Sequence, residues 1–130
     1  MTKSRNANTR ILIVEDDTVL RSAYATVLNA EGYNVQTAAD GVEALETAHT
    51  TDFEVILLDM LMPNMNGLEF LQTFAGPTKH PDTKIIVFSN MSVPSEVKDA
   101  MRLGATKYLT KSSFTPKEIM SIITEVLHGE

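Results

Sequence analysis

Short unbroken apolar runs alternate along this chain with longer stretches whose apolar residues recur at helical spacing. Ile11-Leu12-Ile13-Val14, Val55-Ile56-Leu57-Leu58 and Ile85-Ile86-Val87-Phe88 are continuous, the pattern of strands covered on both faces. They predict strands over Ile11–Val14, Phe53–Asp59 and Lys84–Ser89. Asn34–Ala38 is shorter and more polar, which places it at a sheet edge, and Lys107–Thr110 reads as the last strand. Between them Asp17–Ala30 is helical, with Leu20, Tyr24, Val27 and Leu28 on one face and Gly32 as the stop. Asp40-Gly41-Val42-Glu43 is a capping box opening a helix to about His49, and Leu68–Phe74 follows with Leu68, Leu71 and Phe74 apolar. Gly76-Pro77 and Pro81-Asp82 punctuate a loop, and Ser95–Leu103 forms a helix ended by Gly104. Thr115-Pro116-Lys117-Glu118 opens the last helix, which carries Ile119, Ile122, Ile123, Val126 and Leu127 at core spacing and stops near Gly129.

Five strand–helix units in this length imply a parallel sheet with helices on both faces. That is an α/β, doubly wound, flavodoxin-like (βα)5 fold, whose ligand crevice lies at the carboxyl ends of the strands. Residues 10–130 are expected to form one domain, and residues 1–9, polar and without an apolar core, a disordered tail rather than a secretory signal. At 130 residues and 43% hydrophobic content the chain can bury a full core. No cysteine is present, which excludes disulfides, thiolate metal sites and cysteine nucleophiles, and suits a reducing cytoplasm. The net charge of −6 and the lack of a basic stripe argue against direct nucleic-acid binding. No apolar run approaches the ~20 residues that span a bilayer.

The strand ends carry the chemistry. Asp59 closes the most apolar run of the chain, Glu15-Asp16-Asp17 follow the first strand, Ser89 ends the fourth and Lys111 follows the fifth. In parallel strands these groups share one rim. Clustered carboxylates repel one another, and a divalent cation is the usual remedy. All-oxygen ligands select Mg²⁺ or Mn²⁺. A carboxylate set beside such a cation, a lysine and a hydroxyl is equipped to attack phosphorus, and the product would be an aspartyl phosphate. Asp17 is placed to complement a helix N-terminus as a charge. No P-loop, dinucleotide fingerprint or serine nucleophile elbow appears. His49, His80 and His128 are far apart and read as solvated surface residues.

Ile11-Leu12-Ile13-Val14-Glu15-Asp16-Asp17, Leu57-Leu58-Asp59 through Asn66-Gly67, Phe88-Ser89-Asn90, Gly104-Ala105 and Lys107 through Lys111 together resemble the receiver domain of two-component response regulators. The likeness runs from residue 10 to 128, and the Asp59-to-Gly67 stretch is its most specific part. It implies strand order 2-1-3-4-5 and transfer of a phosphoryl group to Asp59 from a histidine kinase or histidine phosphotransfer protein. It implies that Asp16 and Asp59 bind Mg²⁺, with the Leu61 carbonyl as a third ligand and Glu15 acting through water. It puts the acidic metal pair at Glu15-Asp16, which implies that Asp17 is not a ligand. Ser89 and Lys111 would contact phosphoryl oxygens, and Tyr108 would be the switch aromatic, against the plainer reading of a half-buried strand residue. The protein would assist its own phosphorylation and dephosphorylation rather than act as a separate enzyme.

Output to an unknown downstream protein would pass through the fourth helix, fifth strand and fifth helix, in a stand-alone or excised receiver. The protein is expected to be a monomer or a phosphorylation-dependent dimer. Met60, Met62 and Met65 suggest an adaptable partner surface or core filling.

Two departures stand out. Ser112-Ser113 follows Lys111 where the family usually has a cis-proline, leaving the loop either trans or strained. Leu61 and Met91, two residues beyond Asp59 and Ser89, are apolar and cannot orient a hydrolytic water, so slow dephosphorylation is expected. The rival reading is an interaction module of the same fold that works without phosphate. A Mg²⁺-dependent phosphatase with an aspartyl intermediate ranks last, because Leu61 sits where its second acid would be.

Overall fold

The computed structural model describes residues 6–90 and 93–128. Five parallel strands, β1 (Arg10–Val14), β2 (Asn34–Ala38), β3 (Val55–Asp59), β4 (Lys84–Ser89) and β5 (Lys107–Thr110), form one sheet in the order β2-β1-β3-β4-β5. Five helices connect and cover them: α1 (Thr18–Ala30), α2 (Gly41–Thr50), α3 (Gly67–Phe74), α4 (Pro94–Arg102) and α5 (Pro116–His128). Each apolar strand divides its side chains between two cores, as the pleat requires. Ile11, Ile13, Val55, Leu57, Ile86 and Phe88 face Tyr24 and Leu28 of α1 and Ile119 and Ile123 of α5. Leu12, Val14, Ile56, Leu58, Ile85 and Val87 face Ala44 and Ala48 of α2, Phe70 and Phe74 of α3 and Ala100 of α4. This division is why those runs show no alternation in the sequence. The doubly wound expectation holds, with β2 at the edge.

Helix starts are set locally. Asp17 is the N-cap of α1, its Oδ1 accepting from the Leu20 N–H at 3.0 Å. Thr115 and Glu118 form the expected reciprocal pair at α5, at 3.2 and 2.9 Å. At α2 Asp40 accepts from the Glu43 N–H at 2.8 Å, but Glu43 reaches back to the N–H of Ala39 and not of Asp40, so the box is displaced by one residue. A complete box, like that at α5, also opens α3, between Asn66 and Glu69, where no cap is expected from the sequence analysis above.

Other boundaries move slightly. β3 starts at Val55 rather than Phe53, and α4 runs from Pro94 with Val93 as its uncapped start. The loop after α3 contains one helical turn, Gly76–Lys79, because Ala75 adopts a left-handed conformation (φ 53°) that ends α3 and redirects the chain. Asn6–Thr9 are not a loose tail: Asn6 is buried and donates to the Glu31 carbonyl at 2.7 Å, and the Thr9 carbonyl accepts from Asn34 at 3.0 Å. Residues 1–5, and Gly129 at the expected end of the last helix, lie outside the described residues.

The fold supports the β3–α3 loop by close approach. The Gly67 N–H donates to the Met60 carbonyl at 2.9 Å, and a Cβ at Gly67 would lie 2.5 Å from Met60 Sδ and 2.8 Å from Met60 Cα. Gly67→Ala is therefore expected to lower stability by about 1–3 kcal/mol, the usual range for overpacking. Urea unfolding measures it; an unchanged midpoint would mean that the loop yields freely.

Candidate functional site

The topology brings the expected strand-end groups to one rim. β1 and β3 are neighbours although α1, β2 and α2 separate them in the chain, and a crevice opens at their carboxyl ends. Its cavity of about 420 Å³ is lined by Glu15, Asp16, Asp59, Leu61, Asn90 and Lys111, with Asp17 and Leu20 at the α1 side. Ser89 closes β4 and is buried. The β3–β4 register pairs Asp59 with Phe88. The β4–β5 register pairs Ser89 with Thr110, which puts Lys111 one residue above the sheet edge.

The electrostatics are those of buried, opposed charges. Glu15 is fully buried and Asp59 is 3% exposed. Lys111 Nζ lies 2.7 Å from Glu15 Oε1 and 3.2 Å from Asp59 Oδ2, and 4.9 Å above the centre of the Phe88 ring. Burial pulls the Lys111 ammonium down, but its two carboxylate partners outweigh that and hold it above its ordinary value. Burial pushes the Asp59 carboxyl up to about 7, and the charge of Glu15 adds to the rise while Lys111 opposes it. The remaining bonds fix the loops: the Asp17 N–H donates to Glu15 Oε2 at 3.0 Å, and the Leu61 N–H to Asp59 Oδ1 at 3.3 Å.

One carboxylate oxygen from each of Glu15, Asp16 and Asp59 can be chosen so that all lie within 4.8 Å of one another. Glu15 Oε1 faces the lysine ammonium but has no donor in hydrogen-bonding alignment. Three converging carboxylate oxygens fit a hard divalent cation such as Mg²⁺. Asp17 stays out of this group and serves as a cap, as expected.

The Lys111-Ser112 bond is trans, since the described residues contain no cis peptide. A 3-10 turn, Lys111–Ser113, carries the chain onward with the lysine still in the crevice. Tyr108 is half-buried, and its hydroxyl donates to Glu96 Oε1 of α4 at 2.9 Å while also hydrogen-bonding Ser89. Burial raises the Tyr108 hydroxyl, the Ser89 bond opposes this, and Glu96 adds to it.

Met60 is buried, and Met62 and Met65 pack against the same core, so core filling describes all three. His49 and His128 are exposed, but His80 is not a plain surface residue: it stacks on Phe74 at 4.1 Å, remote from the crevice. Met91 lies outside the described residues. The sequence reading missed Arg21, whose Nη1 donates to the Glu15 and Asp16 carbonyls, and Asn64, which donates to Asp40 Oδ2 at 2.7 Å. A cation in the helical turn after an acidic cluster was the only signal for the first. Among the described residues no helix is long and apolar enough to cross a membrane.

This sheet order, with an acidic crevice at the β1/β3 boundary and a lysine beyond β5, has known counterparts. Residues 11–124 match the family model of the response regulator receiver domain, and the chain belongs to that family, the receiver domains of two-component signalling. Members are phosphoacceptor signalling domains that generally bind Mg²⁺ and interact with histidine kinases and downstream targets.

Among solved structures, the chemotaxis protein CheY4 of Vibrio cholerae is 32% identical with a TM-score of 0.83, over 91% of this chain and 98% of that one. A CheY-like receiver domain protein of Methanospirillum hungatei is 30% identical with a TM-score of 0.86, over 93% and 94%. The probable transcriptional regulator ycf27 of Guillardia theta is 35% identical over 91% of this chain and 45% of its own length. The chain thus spans about half the length of the curated relatives it matches.

The raised Asp59 has a measurable consequence. Its folded form holds a proton more tightly than the ordinary value of 3.8, so stability is lost as pH rises from there through about 7. In metal-free protein, Asp59→Asn is expected to match the wild-type melting temperature near pH ~4 and to exceed it by several degrees near pH ~8. A pH-independent difference in thermal melts would show that Asp59 ionises freely in the fold.

Proposed function

We propose that this chain is a phosphoacceptor switch in which Asp59 takes a phosphoryl group from a phosphohistidine on a kinase or phosphotransfer protein. The observation that carries the proposal is the buried Asp59 carboxylate, 3.2 Å from Lys111 and grouped with the oxygens of Glu15 and Asp16 at the mouth of the crevice. An Asp59 oxygen forms the new bond to phosphorus while the bond to the donor nitrogen breaks, leaving an aspartyl phosphate and a free imidazole. Asp16, Asp59 and the Leu61 carbonyl would hold Mg²⁺ (Mn²⁺ is an equivalent choice), with Glu15 acting through water. That cation supplies positive charge to the phosphoryl oxygens when bound. Lys111 is a second fixed charge for those oxygens, and Ser89 a hydroxyl donor. The protein is in this sense a substrate that assists its own modification, acting in the cytoplasm.

The signal leaves through Ser89. Its hydroxyl already bonds that of Tyr108, which in turn bonds Glu96 on α4. Drawing Ser89 toward a phosphoryl group breaks the first of these bonds and shifts Tyr108 between two arrangements. The surface of α4, β5 and α5 then changes for a downstream protein.

Acetyl phosphate with Mg²⁺ is expected to add one phosphoryl mass to the wild-type protein and none to Asp59→Asn, by intact mass spectrometry. No gain in folded protein, from either acetyl phosphate or a phosphohistidine donor, would leave the phosphate-independent interaction module as the better reading. Leu61, 66% exposed at the crevice, offers no polar group to orient a hydrolytic water. The phosphorylated form is therefore expected to be long-lived. Decay within seconds in the same mass assay would refute that.

A further inference from the structure

We infer that Arg21 is a positioning residue for the cation site, a role that rests on the phosphoacceptor reading above. Arg21 lies in the first turns of α1, where its own N–H donates to the Asp17 carbonyl at 2.9 Å. Its side chain turns back over the preceding loop. A single terminal nitrogen, Nη1, donates to the Glu15 carbonyl at 2.7 Å and to the Asp16 carbonyl at 3.4 Å. These are the backbone groups of the two acidic residues that follow β1.

The consequence differs for the two carboxylates. Glu15 is held by its own burial, by Lys111 and by the Asp17 N–H. Asp16 is exposed, and among the described residues no hydrogen bond holds its carboxylate. Its direction is therefore set by its backbone, and Arg21 fixes that backbone. A guanidinium suits this task because it is always charged, rigid and carries several donors. Carbonyls drawn toward the guanidinium also keep the β1–α1 turn from relaxing outward under the repulsion of Glu15, Asp16 and Asp59.

Charge alone predicts the opposite sign. A cation beside a Mg²⁺ site repels the metal, so if Arg21 acted only through its charge, removing it would tighten binding. If Arg21 acts by holding the loop, removing it weakens binding, and supporting groups of this kind are commonly worth tenfold or more in metal affinity.

The test is Mg²⁺ titration calorimetry on wild-type protein, Arg21→Met and Arg21→Lys, with thermal melts in chelator. Phosphorylation by acetyl phosphate is measured alongside as a function of Mg²⁺. Arg21→Met is expected to raise the Mg²⁺ Kd about tenfold. The half-saturating Mg²⁺ for phosphorylation should rise by the same factor, with the maximal rate unchanged. Arg21→Lys, which keeps the charge and one flexible donor group, is expected to fall between the two, and it carries the test if the methionine variant does not fold. Equal or tighter Mg²⁺ binding in Arg21→Met would overturn the inference. So would a lower maximal rate together with a lower metal-free melting temperature, which would mark a merely structural role. Wild-type protein that binds no Mg²⁺ would overturn the phosphoacceptor reading and this inference together, whereas wild-type binding with an unweakened variant overturns this inference alone.

Discussion

Two carboxylates, Glu15 and Asp59, sit side by side with almost no access to water, and a single lysine spans them. Two like charges about 4 Å apart near a protein surface repel by roughly 4 kcal/mol, and deeper burial raises that figure. A chain does not gather such groups for stability. The rest of the fold is arranged around tolerating them. β1 and β3 must be adjacent to bring the acids together, and β4 and β5 must follow in order for Lys111 to arrive from the far side. Phe88 supplies a ring beneath the ammonium and is itself held edge-on by Tyr24 at 5.3 Å. The apolar sheet thus ends in a small polar cap whose parts come from separate strand ends.

The balance in that cap is deliberately incomplete in physical terms. Burial first, and then the neighbouring Glu15 charge, push the Asp59 carboxyl up to about 7, and the one ammonium facing both acids only partly offsets this. A group in that condition responds strongly to any further positive charge. On the phosphoacceptor reading proposed above, that imbalance is what a divalent cation and a phosphoryl group would act on.

Much of this was legible in the sequence, and the exceptions share a cause. The strands announced themselves because Ile11–Val14, Val55–Leu58 and Ile85–Phe88 serve two cores at once and have no solvent face. The residues that meet at the crevice were legible because each lies at or just beyond the end of a strand, so locating the strand located the residue. What escaped was set by contacts across the chain or by backbone geometry. The helical turn after Ala75 depends on a left-handed alanine that no propensity foretells. Asn6 looked like tail until its amide met the Glu31 carbonyl. His80 looked like surface until it met Phe74. Arg21 acts on backbone carbonyls, which carry no side-chain signature. The serines after Lys111 raised a doubt that the trans 3-10 turn resolves without moving the lysine out of the crevice.

Asp40 illustrates how little of the crevice is independent of its surroundings. One of its oxygens caps α2 through Glu43, and the other receives the Asn64 amide from the β3–α3 loop, where Asn64 itself is left-handed (φ 67°). Beside it, a Cβ at Gly41 would stand 2.8 Å from the Met65 carbonyl. Positions 40 and 41 are thus bound to positions 64 and 65 as one seam, although they sit on different connections. The loop bearing Leu61 cannot be exchanged for another of equal length without rewriting the start of α2. The portable unit, for anyone grafting this rim onto a different sheet, is two loops and the seam between them.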